Sequence, residues 1–283
     1  MQHYLHQPNI SPVLLHLWGP LQIRWYSLLY VGGFMIGWMV LRYLSTDPQF
    51  KFSKSDAEEI IIWMLVGTVL GARIAYCFIY DPVHFLSDPF YFFKVYQGGL
   101  SFHGGLVGGS IGIFLYSRHK KLSFWMITDA CVLAVPIGLG LGRIGNFING
   151  ELYGRVSYVP WGIIYQAGGP LPRHPSQIYE FLLEGLLLCV VLWVSKKHLK
   201  RHGQLSVLFL LGYSICRFVA EFFREPDPQV GYLIAGLTMG QLLSIIMFVS
   251  SALLGYVLFE MVKTESPIKK QKSIRSKKQS RKK

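Results

Sequence analysis

Runs of about 20 mostly apolar residues, long enough for a helix to cross the hydrocarbon layer of a bilayer, recur along this chain and constrain its fold more than any other feature. They fall at 25–44, 60–80, 100–116, 124–141, 178–194, 204–222 and 233–262, with polar punctuation between them. In hydrocarbon every backbone N–H and C=O must find a partner inside the protein, and a helix does this within one segment. The expectation is an all-α, polytopic integral membrane protein of about seven transmembrane helices. Composition points the same way: 52% of the 283 residues are hydrophobic and only 15% are charged.

The formal charge of +13 could suggest nucleic acid, but the basic residues gather in short loops between apolar runs and in the tail at 263–283. No nucleic-acid partner is expected. One set of loops holds Arg42, Lys51 and Lys54, then Arg118, Lys120 and Lys121, then Lys196, Lys197, Lys200 and Arg201, then the tail. The alternate set holds Arg24, Lys94, Arg143, Arg155, Arg173 and Arg224, spread thinly over longer segments. Because Lys and Arg are retained on the cytoplasmic side, the N-terminus is expected outside and the C-terminus in the cytoplasm. The N-terminus lacks a basic leader, and Pro8, Pro12 and Pro20 interrupt its apolar stretch, so the first segment is expected to stay in the mature protein. Segments 3–18 and 82–96 mix aromatics with histidine and proline and are expected along the outer membrane surface. Cys77, Cys131, Cys189 and Cys216 all sit in apolar runs without CxxC spacing and read as packing thiols. No cluster has metal-ligand spacing, so no metal is expected.

Ionisable groups inside or beside apolar spans are costly to bury unpaired and point to function. Arg73 lies in the outer half of the second run, His103 at the outer start of the third, Arg143 at the outer end of the fourth, and Arg217 and Glu221 toward the outer end of the sixth. Tyr26 begins the first run on the same side. Tyr213, Arg217 and Glu221 follow at intervals of four and share a helical stripe. The residues alone leave open whether the Arg217–Glu221 pair does chemistry or only joins helices. Asp129, Glu180 and Glu184 have no basic partner nearby in sequence and read as structural hydrogen-bonding groups.

The densest polar stretch is 142–155, Gly-Arg-Ile-Gly-Asn-Phe-Ile-Asn-Gly-Glu-Leu-Tyr-Gly-Arg, placed just after the fourth run. A guanidinium fork among glycines suits a phosphate held close to the backbone, although a turn needing Gly and Asn is the plainer alternative. His103 has flanking glycines and titrates near neutrality, so it could accept a proton or simply pack. Glycines at 104, 108 and 112, with Gly105 and Gly109 beside them, would let another helix approach closely.

With these residues in place, the chain resembles the prolipoprotein diacylglyceryl transferases of bacterial inner membranes. The resemblance rests on 142–154, supported by 98–105, by His174-Pro175-Ser176-Gln177-Ile178-Tyr179-Glu180 and by 212–224. It implies transfer of the diacylglyceryl group from phosphatidylglycerol to the thiol of the lipobox cysteine in a preprolipoprotein signal peptide, forming a thioether and releasing glycerol phosphate. It implies no cofactor. By that similarity Arg143 holds the headgroup phosphate, helped by Asn146, Asn149, Glu151 and Gly154. Tyr26, His103, Arg143, Arg217 and Glu221 are the candidate catalytic residues, with Tyr213 and Arg73 as further substrate-binding candidates. The base that takes the thiol proton stays open between His103 and Glu221 acting through Arg217 and water. The implied organisation is one transmembrane catalytic domain over 1–262, with interfacial arms and a small periplasmic segment at about 143–177, then a basic, disordered cytoplasmic tail at 263–283. Its partners are the two substrates and the bilayer, and its active site faces the periplasmic leaflet. A secondary transporter is the main rival, but no inverted repeat joins the halves of the chain.

Overall fold

The computed structural model describes residues 4–18, 21–95, 98–226 and 231–261, apart from the side chains at 21, 102, 103, 234, 260 and 261. The expected tail at 263–283 and the His103 side chain therefore lie outside the described residues. The molecule is mostly helical. Helix α1 is Trp25–Leu44 and α2 is Lys54–Ala75, prolonged by a wider turn over Tyr76–Tyr80. A short surface helix, α3 (Pro82–Ser87), and a 3-10 turn at Pro89–Phe93 follow. Next come α4 (Phe102–His119), α5 (Phe124–Cys131) and α6 (Val135–Asn149). Helix α7 (Ser176–Glu180) runs through Phe181–Leu187 into α8 (Leu188–Ser195), and α9 (Gln204–Glu221) and α10 (Met239–Tyr256) complete the bundle.

By length and apolarity, five helices among the described residues can cross a membrane: Trp25–Leu44, Lys54–Tyr80, Ser176–Ser195, Gln204–Glu221 and Met239–Phe259. Helices α5 and α6, bent by 42°, make a sixth if they form one span. The break falls before Pro136, whose ring displaces the carbonyl four residues earlier and which donates no hydrogen bond. Helix starts are capped by side chains: Ser53 with Asp56 on α2, and Thr238 with Gln241 on α10, form reciprocal capping boxes.

Large apolar side chains such as Ile62, Val66, Leu182 and Val190 are turned outward, as a bilayer solvent requires, while Leu41, Leu44, Ile60, Leu133 and Leu192 fill the interior. Helix α4 runs antiparallel along α2 on a glycine seam. A Cβ on Gly104 would strike the Gly71 carbonyl, and one on Gly108 would strike the Gly67 carbonyl and lie 2.8 Å from the Gly71 Cα. The seam continues from Ala72 to the far end, where Tyr116 donates to Asp56 at 2.7 Å and Lys120 pairs with Glu59 at 2.8 Å.

Among the described residues, two short β pairs accompany the helical bundle. Strand β1 (Leu5–His6) pairs in parallel with β4 (Ile163–Ile164), and β2 (Val13–Trp18) pairs antiparallel with β3 (Leu21–Arg24). Pro8 and Pro12 leave no room for a helix in the N-terminal arm, whose backbone pairs as strand instead. All four strands lie outside the spans.

Candidate active site

Helix α6 carries the first part of the site. The sequence placed 142–155 after the fourth span, but the helix continues through Arg143, Asn146 and Asn149 and ends at Gly150, in the left-handed region with φ +67°. Glycine at 145 is needed because Tyr26 of α1 lies on it: a Cβ there would sit 2.8 Å from the Tyr26 Cδ2. That contact brings the first turn of α1 to the last turns of α6.

Three helices meet in an ion cluster. Arg143 Nε lies 2.7 Å from Glu180 Oε2 and its Nη2 lies 3.3 Å from Glu184 Oε2. From α9, Arg217 Nη1 reaches Glu180 Oε1 at 2.8 Å and its Nη2 reaches Glu221 Oε2 at 2.7 Å. Just beyond α9, Arg224 Nη1 approaches Glu180 Oε1 at 3.5 Å. The Glu180 and Glu184 side chains are 0% exposed, whereas those of Arg143 and Arg217 keep 17% and 15%. Three guanidinium charges thus balance three carboxylates, and the cationic partners retain the accessible edge. Glu221 also accepts from Thr238 Oγ1 at 3.0 Å, tying α10 to the cluster.

Beside the cluster lies an open cleft of about 470 Å³ lined by Arg24, Tyr26, Ser27, Asn146, Asn149, Glu151 and Leu152. The Asn146 and Asn149 amides donate to Glu151 Oε1 at 2.9 and 3.0 Å. The buried Asn149 Oδ1 has no hydrogen-bond donor among the described residues. The loop beyond is fixed from behind by 174–177: Ser176 Oγ donates to the Leu152 carbonyl at 2.8 Å, Gln177 Nε2 to the Glu151 carbonyl at 2.7 Å, and the Gly154 N–H to the His174 carbonyl at 2.9 Å. A Cβ on Gly154 would lie 2.5 Å from the His174 and Phe223 carbonyl oxygens, so only glycine fits. Burial holds the His174 imidazole below its ordinary pKa, and its Nδ1 lies 3.1 Å from the Tyr179 hydroxyl.

The structure brings Tyr26, Arg143, Asn146, Asn149, Glu151, Gly154, Arg217 and Glu221 to one end of the bundle. Tyr213 sits one turn before Arg217 on α9, its ring stacked on Phe209. Residue 103 is the second residue of α4. Arg73 is 1% exposed, with its guanidinium turned to backbone carbonyls.

Two acids missed by sequence reasoning are central. Glu180 and Glu184 read as isolated carboxylates, but Arg143 and Arg217 from other helices pair with them. Their four-residue spacing on the helix was the available signal; the cross-helix partners were not visible from one segment. Arg224 and Thr238 were missed for the same reason. Asp129 instead is structural: it accepts from the Gly203 N–H at 2.6 Å, and from the Ser206 N–H and Oγ at 2.7 Å, at the start of α9.

A family model described as prolipoprotein diacylglyceryl transferase matches residues 12–257. A phosphatidylglycerol–prolipoprotein diacylglyceryl transferase of Idiomarina loihiensis is 47% identical over 266 residues, covering 93% of this chain and 97% of its own length. Proteins of the same name from Coxiella burnetii (47% identical; 87% of this chain, 94% of theirs) and Rhodospirillum rubrum (44% identical; 92% and 95%) are also similar. The chain belongs to the prolipoprotein diacylglyceryl transferase family.

Proposed function

We propose that this protein transfers the diacylglyceryl group of phosphatidylglycerol to the lipobox cysteine thiol of a prolipoprotein. The cysteine sulfur attacks the glycerol carbon bearing the phosphate. A C–S bond forms as the C–O bond breaks, and glycerol phosphate leaves with the bonding electron pair. A thiol of pKa about 8.5 reacts as its thiolate, which neighbouring cations favour. Negative charge builds on the departing phosphate, and preplaced guanidinium donors in a water-poor site stabilise it without reorganising.

The single observation that carries this reading is that Arg143 and Arg217, from different helices, are fastened to the two oxygens of one buried carboxylate, Glu180, while Asn146, one turn beyond Arg143 on α6, lines a polar cleft. The buried carboxylates hold the guanidinium groups in place, and both arginine side chains keep part of their surface accessible. Arg143 takes the lipid phosphate, with Asn146, Asn149, Glu151 and Gly154 shaping the cleft for the headgroup. Arg217, held by Glu221, steadies the leaving phosphate, and Tyr26 and Tyr213 border the reacting groups. The thiol proton goes to His103, or to Glu221 through Arg217 and water.

The topology belongs to the same proposal. Counting α4 and the bent α5–α6 pair gives seven crossings, with α4 supported by its run along α2 from Ala72 to Glu59. The N-terminus is then periplasmic, the C-terminus cytoplasmic, and the cleft opens at the outer leaflet of the inner membrane, where the lipid and the signal peptide both arrive. The basic loops at the opposite end support this orientation.

Incubating the purified protein with phosphatidylglycerol and a lipobox peptide, followed by mass spectrometry, tests the reading. A diacylglyceryl adduct on the cysteine, absent from a serine-substituted peptide and from Arg143→Ala enzyme that still inserts, is expected. Near-normal adduct formation by Arg143→Ala would remove the phosphate role.

A further inference from the structure

Among the described residues, Arg73 is the one strongly buried cation at the site end of the bundle that the ion cluster does not use, and its partners differ in kind. Among the described residues no carboxylate pairs with it. Its Nε donates to the Phe92 carbonyl at 2.9 Å, its Nη1 to the Gly98 and Gly99 carbonyls at 2.8 Å each, and its Nη2 to the Tyr91 carbonyl. The guanidinium carbon also lies 4.7 Å from the centre of the Tyr91 ring. Both Nη1 protons and the Nε proton are taken, so no pair of parallel N–H groups remains to grip a phosphate.

These bonds join three pieces of chain. Tyr91 and Phe92 belong to the 3-10 turn that closes the surface segment after α3, and Gly98 and Gly99 begin the turn that leads into α4. Gly98 and Gly99 have φ of +91° and +79°, a backbone shape that places both carbonyls toward Arg73. The next link is the Ser101 N–H, which donates to the Ala72 carbonyl at 3.0 Å, while Ser101 Oγ caps α4 by accepting from the Gly104 N–H at 3.3 Å. Ser101, the residue that caps α4 two positions before 103, is therefore set against the end of α2 by this latch.

We infer that Arg73 is a positioning residue: it rivets the surface segment and the Gly98–Gly99 turn to α2 and so fixes where α4, and residue 103 with it, begins. This replaces direct contact with substrate, and it rests on the reaction proposed above. A lysine offers three donors from a single point and cannot span Tyr91, Phe92, Gly98 and Gly99 together, so Arg73→Lys should not restore the latch. Gly99→Ala should open it from the other side, because a Cβ there would lie 2.6 Å from Arg73 Nη1 and the left-handed φ disfavours a side chain.

The test measures kcat and KM for phosphatidylglycerol with native, Arg73→Lys and Gly99→Ala enzymes, counting only folded protein, alongside hydrogen–deuterium exchange. Both variants should lose about a hundredfold in kcat, the scale of a misplacement of about 1 Å, with KM changed less than about threefold. Exchange should rise in 98–105 and stay native in α9 and α10. Native kinetics in Gly99→Ala, or in folded Arg73→Lys, would overturn the inference. So would a tenfold rise in KM with native exchange, which would put Arg73 on the lipid. If Arg73→Lys does not fold, Gly99→Ala decides alone. Absence of any adduct from native enzyme would instead defeat the proposed reaction.

Discussion

Replacing Glu180 by glutamine keeps the side-chain shape and removes one of three charges that balance Arg143, Arg217 and Arg224. The carboxylate is 0% exposed and lies 2.7 Å from Arg143 Nε and 2.8 Å from Arg217 Nη1. Opposite charges about 4 Å apart attract by about 4 kcal/mol at an effective dielectric constant near 20. Deleting one member of a buried pair costs about 3–5 kcal/mol, because the survivors stay buried without compensation. A loss of that size lowers the unfolding midpoint of a chain this long by roughly 10 °C. The buried thiols of Cys77, Cys131 and Cys216 supply the assay: a dye that fluoresces on reacting with thiols reports unfolding in detergent. Glu58→Gln is the control, since its pair with Arg42 is 3.7 Å long and about half exposed, and it should change stability by less than about 1 kcal/mol. A Glu180→Gln midpoint within about 2 °C of native would refute the reasoning.

Arg217→Lys keeps a positive charge but cannot reach Glu180 and Glu221 with separate nitrogens, so adduct formation should fall by at least about a hundredfold; full activity would reduce Arg217 to a helix fastener. Gly108→Ala forces α4 off the Gly67 carbonyl and should destabilise by about 1–3 kcal/mol, whereas Gly32→Ala, with nothing within 4 Å of its Cβ, should be neutral or stabilising by thiol-dye melting. At the other end, the Lys196 ammonium holds the Asp47 carboxyl below its usual range. A depressed acid contributes stability above its unfolded pKa that is lost as pH falls through the folded value. Melting between pH 5 and pH 2 should therefore drop more steeply in native protein than in Asp47→Asn, and parallel curves would contradict the link.

Much of the fold was legible because the bilayer imposes a length on its helices. The first run, 25–44, coincides with α1, and 204–222 differs from α9 by one residue. The fourth run hid its break, since Pro136 sits inside a continuous apolar window and the helix that restarts at Val135 runs on to Asn149. The β1–β4 pair escaped notice because its strands lie far apart in the chain, and no local pattern carries that pairing. At the site, the residues on one segment were readable and those across helices were not. Tyr213, Arg217 and Glu221 share a stripe by spacing alone, but that Glu180 bridges Arg143 and Arg217 depends on how α6, α7 and α9 pack. Arg73 shows the same limit, since the carbonyls that its guanidinium meets lie on segments that no local pattern joins to α2.

The most direct test of the central claim is a structure of the protein in a lipid nanodisc with phosphatidylglycerol bound. The proposed chemistry predicts the lipid phosphorus in the cleft beside Arg143, with phosphate oxygens about 3 Å from its guanidinium and Arg217 next to the departing glycerol phosphate. A headgroup lodged elsewhere, or an Arg143 whose edge stays turned from the lipid, would contradict it.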